Sequence, residues 1–100
     1  MIRGTTPTHI FRLPFSVLAI QDVRVIYAQR DEQILVKETA DCTLEGNRIS
    51  VTLTQEDTFK FDHSKCVQIQ VRVSTAGGQA LASQIKLIDV DKCLDDEVIV

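Results

Sequence analysis

Apolar and polar residues alternate with a period of two along most of this chain, and that alternation is its strongest signal. Val67, Ile69, Val71 and Val73 take turns with Gln68, Gln70, Arg72 and Ser74, and Ile49, Val51 and Leu53 with Ser50, Thr52 and Thr54. Successive side chains of an extended strand point to opposite faces, so each stretch predicts a strand with one face in a core. Val23, Val25 and Tyr27 share a face in the same way. Because Ile26 and Ala28 make the second face apolar too, this strand is expected in the middle of a sheet. Residues 8–13 alternate less regularly. Residues 34–38 read as the return of a hairpin through the polar turn AQRDEQ. Gly46 and Asn47 suit positive φ at a second turn, and Gly77 and Gly78 turn the chain back through Leu81 to Val90.

A helix is hard to place, because no window keeps apolar residues at three-and-four spacing for two turns and β-branched residues dominate the apolar set. TQEDTFKF predicts one short turn. There Thr54 caps, Glu56 and Asp57 suit the positive end, and Phe59 and Phe61 lead back to the core. About six or seven consecutive antiparallel strands need a second sheet to cover their apolar face, which predicts an all-β sandwich. Val25, Tyr27, Val51, Leu53, Val67, Ile69, Val71 and Leu87 are expected in one core. Residues 1–93 form the predicted domain, and residues 94–100 an acidic-apolar tail.

Composition narrows the function. A chain of 100 residues supports a single modest core, and an apolar fraction of 44% with 25% charged residues is that of an ordinary globular protein. The net charge of −3, with Lys and Arg scattered, argues against nucleic acid as a partner. No run approaches the roughly 20 apolar residues that span a bilayer, so no membrane partner is expected. MIRGTTPTHIF lacks the pattern of a secretory signal, which predicts a protein made in the cytosol.

Candidate chemistry changes little. Cys42, Cys66 and Cys93 lie far apart without zinc-site spacing and are expected as free thiols serving as small buried apolar side chains. The string Asp62, His63, Ser64 holds the residue types of a hydrolase triad. Neighbours on an extended chain nevertheless point alternately apart and do not converge on one substrate. His9 has no second ligand in sight. In DVDKCLDDE, Asp89 and Asp91 occupy the first and third positions of a calcium loop. Cys93, Leu94 and Val100 then stand where a ligand, the turn glycine and the bidentate glutamate belong. No catalytic residue, cofactor or dedicated metal site is expected. The tail is the remaining candidate, because Leu94, Val98, Ile99 and Val100 have little reason to be left in water. It either adds an edge strand to its own sheet or pairs with a partner by strand addition, with Asp95, Asp96 and Glu97 keeping it soluble until it docks.

VRVIYAQRDEQILVKE, LEGNRISVTLTQEDTFKF, VQIQVRVSTAGGQALAS and CLDDEVIV resemble a group of small proteins encoded in prophages of Gram-positive bacteria, usually among virion structural genes. The likeness spans almost the whole chain. The strand order is also similar to immunoglobulin-like and fibronectin type III sandwiches, and more loosely to the N-terminal domain of phage baseplate upper proteins. LTQEDTF, followed by a strand and a Gly-Gly hairpin, resembles the crossover, penultimate strand and last hairpin of fibronectin type III domains. Phe59 stands where those domains carry a corner tyrosine, so the hydroxyl bond of that corner has no counterpart while the architecture stays intact. The resemblance implies a non-enzymatic phage structural or assembly protein, made in the bacterial cytoplasm and carried in the virion. Its partners would be other phage structural proteins or further copies of itself. The alternative it implies is a carbohydrate- or host-surface-binding sandwich. Against that stands an aromatic set of no Trp, one Tyr and four Phe, which the core can claim.

Overall fold

Alternation becomes eight strands and one α-helical turn, with 3₁₀ turns besides at Val17–Ala19 and Thr39–Asp41, in the computed structural model, which describes residues 1–99; Val100 lies outside the described residues. In chain order these are β1 (Thr8–Arg12), β2 (Ile20–Gln29), β3 (Glu32–Glu38), β4 (Cys42–Glu45), β5 (Arg48–Thr52), α1 (Gln55–Phe59), β6 (Val67–Thr75), β7 (Ala80–Ala82) and β8 (Lys86–Ile88). Two antiparallel sheets result. One has the order β1-β5-β4, and the other runs β3-β2-β6-β7, with β8 pairing the same edge of β6 further along. The smallest dimension of the Cα trace is 17 Å, enough for two sheets packed about 10 Å apart.

The core lies between the sheets. Val23, Val25 and Tyr27 of β2 and Val67, Ile69, Val71 and Val73 of β6 meet Ile49 and Val51 of β5, with Leu53, Phe61 and Val90 closing the ends. Central placement of β2 follows from its two apolar faces: it pairs with β3 on one side and β6 on the other. Seven of the eight residues expected in the core are there.

Leu87 is not, and the reason is a change of register. Leu81 pairs with Val73, Ala82 with Arg72, and then Lys86 pairs with Ile69, Leu87 with Gln68 and Ile88 with Val67. Two residues of β6 therefore face three of the returning chain between those pairings. One extra residue turns every later side chain to the opposite face. Ile88 thus faces inward beside Val67, while Leu87 is 64% exposed beside Gln68. Ser83 marks the break: its N–H donates to the Val71 carbonyl at 2.8 Å, and its hydroxyl accepts the Val71 N–H at 3.0 Å. The single return expected through residues 81–90 is therefore two short strands.

The turns follow φ more narrowly than the sequence suggests. Gly46 has φ of 61°, whereas Asn47 does not enter the positive region. Between β2 and β3, Arg30 and Asp31 have φ of 50° and 64°, the pattern of a two-residue type I′ turn built without glycine. The helical turn falls where TQEDTFKF places it. Thr54 Oγ1 accepts from Asp57 N–H at 3.0 Å, and Asp57 Oδ2 accepts from Thr54 N–H at 2.9 Å, a reciprocal capping box. Phe61 is buried as expected, but Phe59 stays half-buried, its ring against the Cα side of Gly4 and under the Arg3 guanidinium.

Candidate interaction surface

Among the described residues β1 has a partner on one side only. Leu53 N–H donates to the Pro7 carbonyl and Leu13 N–H to the Asn47 carbonyl, which sets the alternation of the β1–β5 ladder. The backbone groups of His9 and Phe11 then point toward β5, and those of Thr8, Ile10 and Arg12 point away from it. That outer side is a free sheet edge. Pro7 and Pro14 bracket it.

Opposite this edge stands the returning segment of the larger sheet, and residues 76–87 are all exposed. Two adjoining hollows of about 300 and 530 Å³ run between them and share Arg12, Leu13, Val71 and Ser83. Their walls are mostly apolar, and their charged residues are Arg12 and Lys86 alone among the described residues. Arg12 also faces Arg48 directly across β1 and β5. Neither arginine has an ion-pair partner among the described residues. Like charges in that position repel, and Glu45 faces Arg48 from its other side on β4.

The tail lies elsewhere. Asp96 Oδ1 accepts from Arg3 Nη1 at 3.2 Å, and the Gln55 side chain holds the Ile99 backbone at both ends, donating to its carbonyl at 2.9 Å and accepting its N–H at 2.8 Å. Val98 lines a shallow hollow with Thr6, Thr52 and Gln55. Residues 92–99 belong to no strand. Even so held, Leu94 is 98% exposed and Ile99 74%. Of the candidate contact residues, Leu94, Val98 and Ile99 are thus on one exposed stretch, and Val100 is outside the described residues.

Other polar side chains pair within the fold. His9 Nδ1 and the Tyr27 hydroxyl share a hydrogen bond of 2.8 Å that joins the two sheets; burial lowers the His9 pKa and raises that of Tyr27. Lys37 Nζ lies 2.8 Å from Asp57 Oδ2. Burial by itself would raise the Asp57 carboxyl, but hydrogen bonds from Lys37 and Thr54 hold it below its usual range. Ser64 does not meet His63 as a triad serine would. Its N–H and hydroxyl both donate to Asp62 Oδ1, at 2.8 and 2.7 Å, and hold that carboxyl at about 2. The buried Gln29 side chain staples this loop, donating to the carbonyls of Asp62 and Lys65 and accepting from Asp62 N–H.

Asp89 accepts from the Cys66 thiol, and among the described residues no three His, Cys, Asp or Glu gather as metal ligands would. All three cysteines are free, but the expectation that they are buried fails. Cys66 is exposed and Cys42 and Cys93 are intermediate, because Cys66 precedes β6 rather than lying within it. Among the described residues no helix is long and apolar enough to cross a membrane. The groove is not legible in the alternation, since its walls come from strands distant in the chain. The one local signal for it is the pair of prolines limiting β1 to five residues. No family model, curated protein or solved structure matches the chain.

Proposed function

We propose that this chain is a non-enzymatic structural or assembly component of a phage or prophage particle, made in the bacterial cytoplasm and carried in the virion, which acts through protein–protein contacts. The observation that carries this reading is the apolar surface left outside the core: a free edge at β1 beside an open groove, and a tail presenting Leu94 and Ile99 to solvent. Sheet edges and exposed extended segments are the means by which small β domains join other chains. The resemblance of VQIQVRVSTAGGQALAS and CLDDEVIV to prophage proteins supplies the setting.

The sandwich is of the immunoglobulin or fibronectin type III kind in this reading. Support comes from pairing between strands four apart in sequence, β1 with β5 and β2 with β6, and from the orders β1-β5-β4 and β2-β6-β7, which follow B-E-D and C-F-G of such domains. β3 is then the additional strand beside C, and no strand among the described residues takes position A, next to β1. A sugar-binding role gains nothing from the aromatic residues. Tyr27 and Phe61 are buried, and Phe11, Phe15 and Phe59 are half-buried, which leaves no exposed ring on which a sugar could stack. Mass spectrometry of particles purified after prophage induction tests the proposal. The chain should copurify at a fixed ratio to the major structural proteins; its absence from particles and from their assembly intermediates overturns the reading.

A further inference from the structure

We infer that the free edge of β1 and the groove beside it receive, as an added strand, the acidic-apolar tail of a second copy of this chain, residues 94–99. This rests on the protein-contact reading above and names the partner. Three features of the receiving side agree. The outward N–H and C=O groups of Thr8, Ile10 and Arg12 offer a ladder about as long as the tail. The groove wall across from them is apolar, and Leu81 remains 41% exposed although it pairs with buried Val73 on the inner face. The charge of the lining is one-sided: Arg12 and Lys86 line the groove without an acidic residue beside them in its walls.

The tail is the complement of this surface. In an extended conformation Leu94, Asp96 and Val98 fall on one face and can enter the groove, Asp96 toward Lys86, while Asp95, Glu97 and Ile99 fall on the other, the outer face that Arg12 shares with Thr8 and Ile10. An acidic strand laid on the outer edge of β1 also brings carboxylates beside Arg12, whose cross-strand neighbour is Arg48, while Arg48 itself already faces Glu45 of β4. The tail is free to move there at small cost. Its described attachments to its own protomer are the Arg3–Asp96 pair, whose carboxylate is largely in solvent, the Gln55 amide on Ile99 and the packing of Val98. Groove and tail are different patches, so each copy offers one of each, and the contact is head-to-tail.

Sedimentation velocity of the full chain over a concentration series tests this, with circular dichroism to verify folding. Wild-type protein should shift to higher mass with concentration. Leu81→Lys, which spoils the groove, and Leu94→Asp, which spoils the tail, should each weaken association at least tenfold; Arg12→Glu provides a second groove variant should Leu81→Lys disturb β7. An equimolar mixture of Leu81→Lys and Leu94→Asp should form a species of two chains and no larger, because one sound tail meets one sound groove. A wild-type monomer at every concentration overturns the inference, as do variants that associate normally or a mixture that remains monomeric. If the monomeric chain still copurifies with particles, the broader contact reading survives and only the second copy as partner is lost.

Discussion

The His9–Tyr27 bond is one polar contact that ties the stability of the molecule to pH. Burial lowers the native pKa of His9 from its ordinary 6.5, so as pH falls the unfolded chain takes up a proton before the native chain does. The stability this group contributes is present above about pH 6.5 and is lost as pH falls through the lowered native value. Tyr27 acts at the other end: burial raises its pKa from 10.0, so above about pH 10 the unfolded chain ionises first and stability is lost as pH rises. Chemical denaturation between pH 5 and 8 should therefore show stability falling toward the acid side. His9→Gln, which keeps a partner for the hydroxyl, should flatten that slope at a cost of about 1 kcal/mol. A slope that persists in His9→Gln would assign the acid sensitivity elsewhere. The thiols give a second test at this scale. Cys66, exposed at the entry to β6, should react with a thiol reagent well before Cys42, whose thiol burial pushes up and so keeps protonated. Equal labelling rates for the two would contradict their placement. Which residues are cysteine is plain in the sequence; which of them is exposed depends on where a strand begins, and alternation locates that only to within a residue or two.

At the scale of elements, the strands with long, regular alternation are legible in the sequence, because burial on one face demands one parity throughout. β2, β5 and β6 are such strands, and the capped turn α1 is legible from Thr54, Glu56 and Asp57. The return from Gly78 is not, because a single inserted residue reverses parity, and the contact that marks it, the Ser83 hydroxyl accepting from the Val71 N–H, leaves no periodic trace. Substitution distinguishes the two registers. Leu87→Ala should cost less than about 0.5 kcal/mol, as at an ordinary surface position, whereas Ile69→Ala should cost roughly 2 to 5 kcal/mol. Similar losses for both would place Leu87 in the core and remove the register change. The turn from β2 to β3 invites the opposite kind of change. Arg30 holds φ of 50°, a conformation that costs a non-glycine residue about 1 to 2 kcal/mol, and its side chain makes no hydrogen bond or ion pair among the described residues. Arg30→Gly should thus raise the unfolding free energy by about 0.5 to 1 kcal/mol in urea denaturation. Asp31 is a poorer target, since its N–H and carboxylate exchange hydrogen bonds with Gln68.

At the scale of the whole molecule, the question is which parts the sandwich needs and which it carries. Both sheets close on residues that lie before the tail: Ile88 is paired to Val67, and Val90 is the last buried residue among those described. The N-terminal segment belongs to the body. Thr58 Oγ1, fully buried, accepts from Gly4 N–H and donates to the Thr5 carbonyl, and Arg3 N–H donates to the Asp91 carbonyl. The tail beyond Cys93 is held more lightly, through Gln55, Arg3 and the half-exposed Val98. A chain lacking residues 94–100 should accordingly keep its β circular dichroism spectrum. Three polar contacts, each worth about 1 kcal/mol or less, set the expected loss at no more than about 3 kcal/mol, or a fall in Tm of at most roughly 12 to 24 °C for a domain of this size. An unfolded truncation would make the tail part of the folding unit and leave little of it free to join another chain. A folded truncation with an almost unchanged Tm would mean that Gln55 and Arg3 add nothing measurable in solution, so that the exposed Leu94 and Ile99 face water unless another chain covers them.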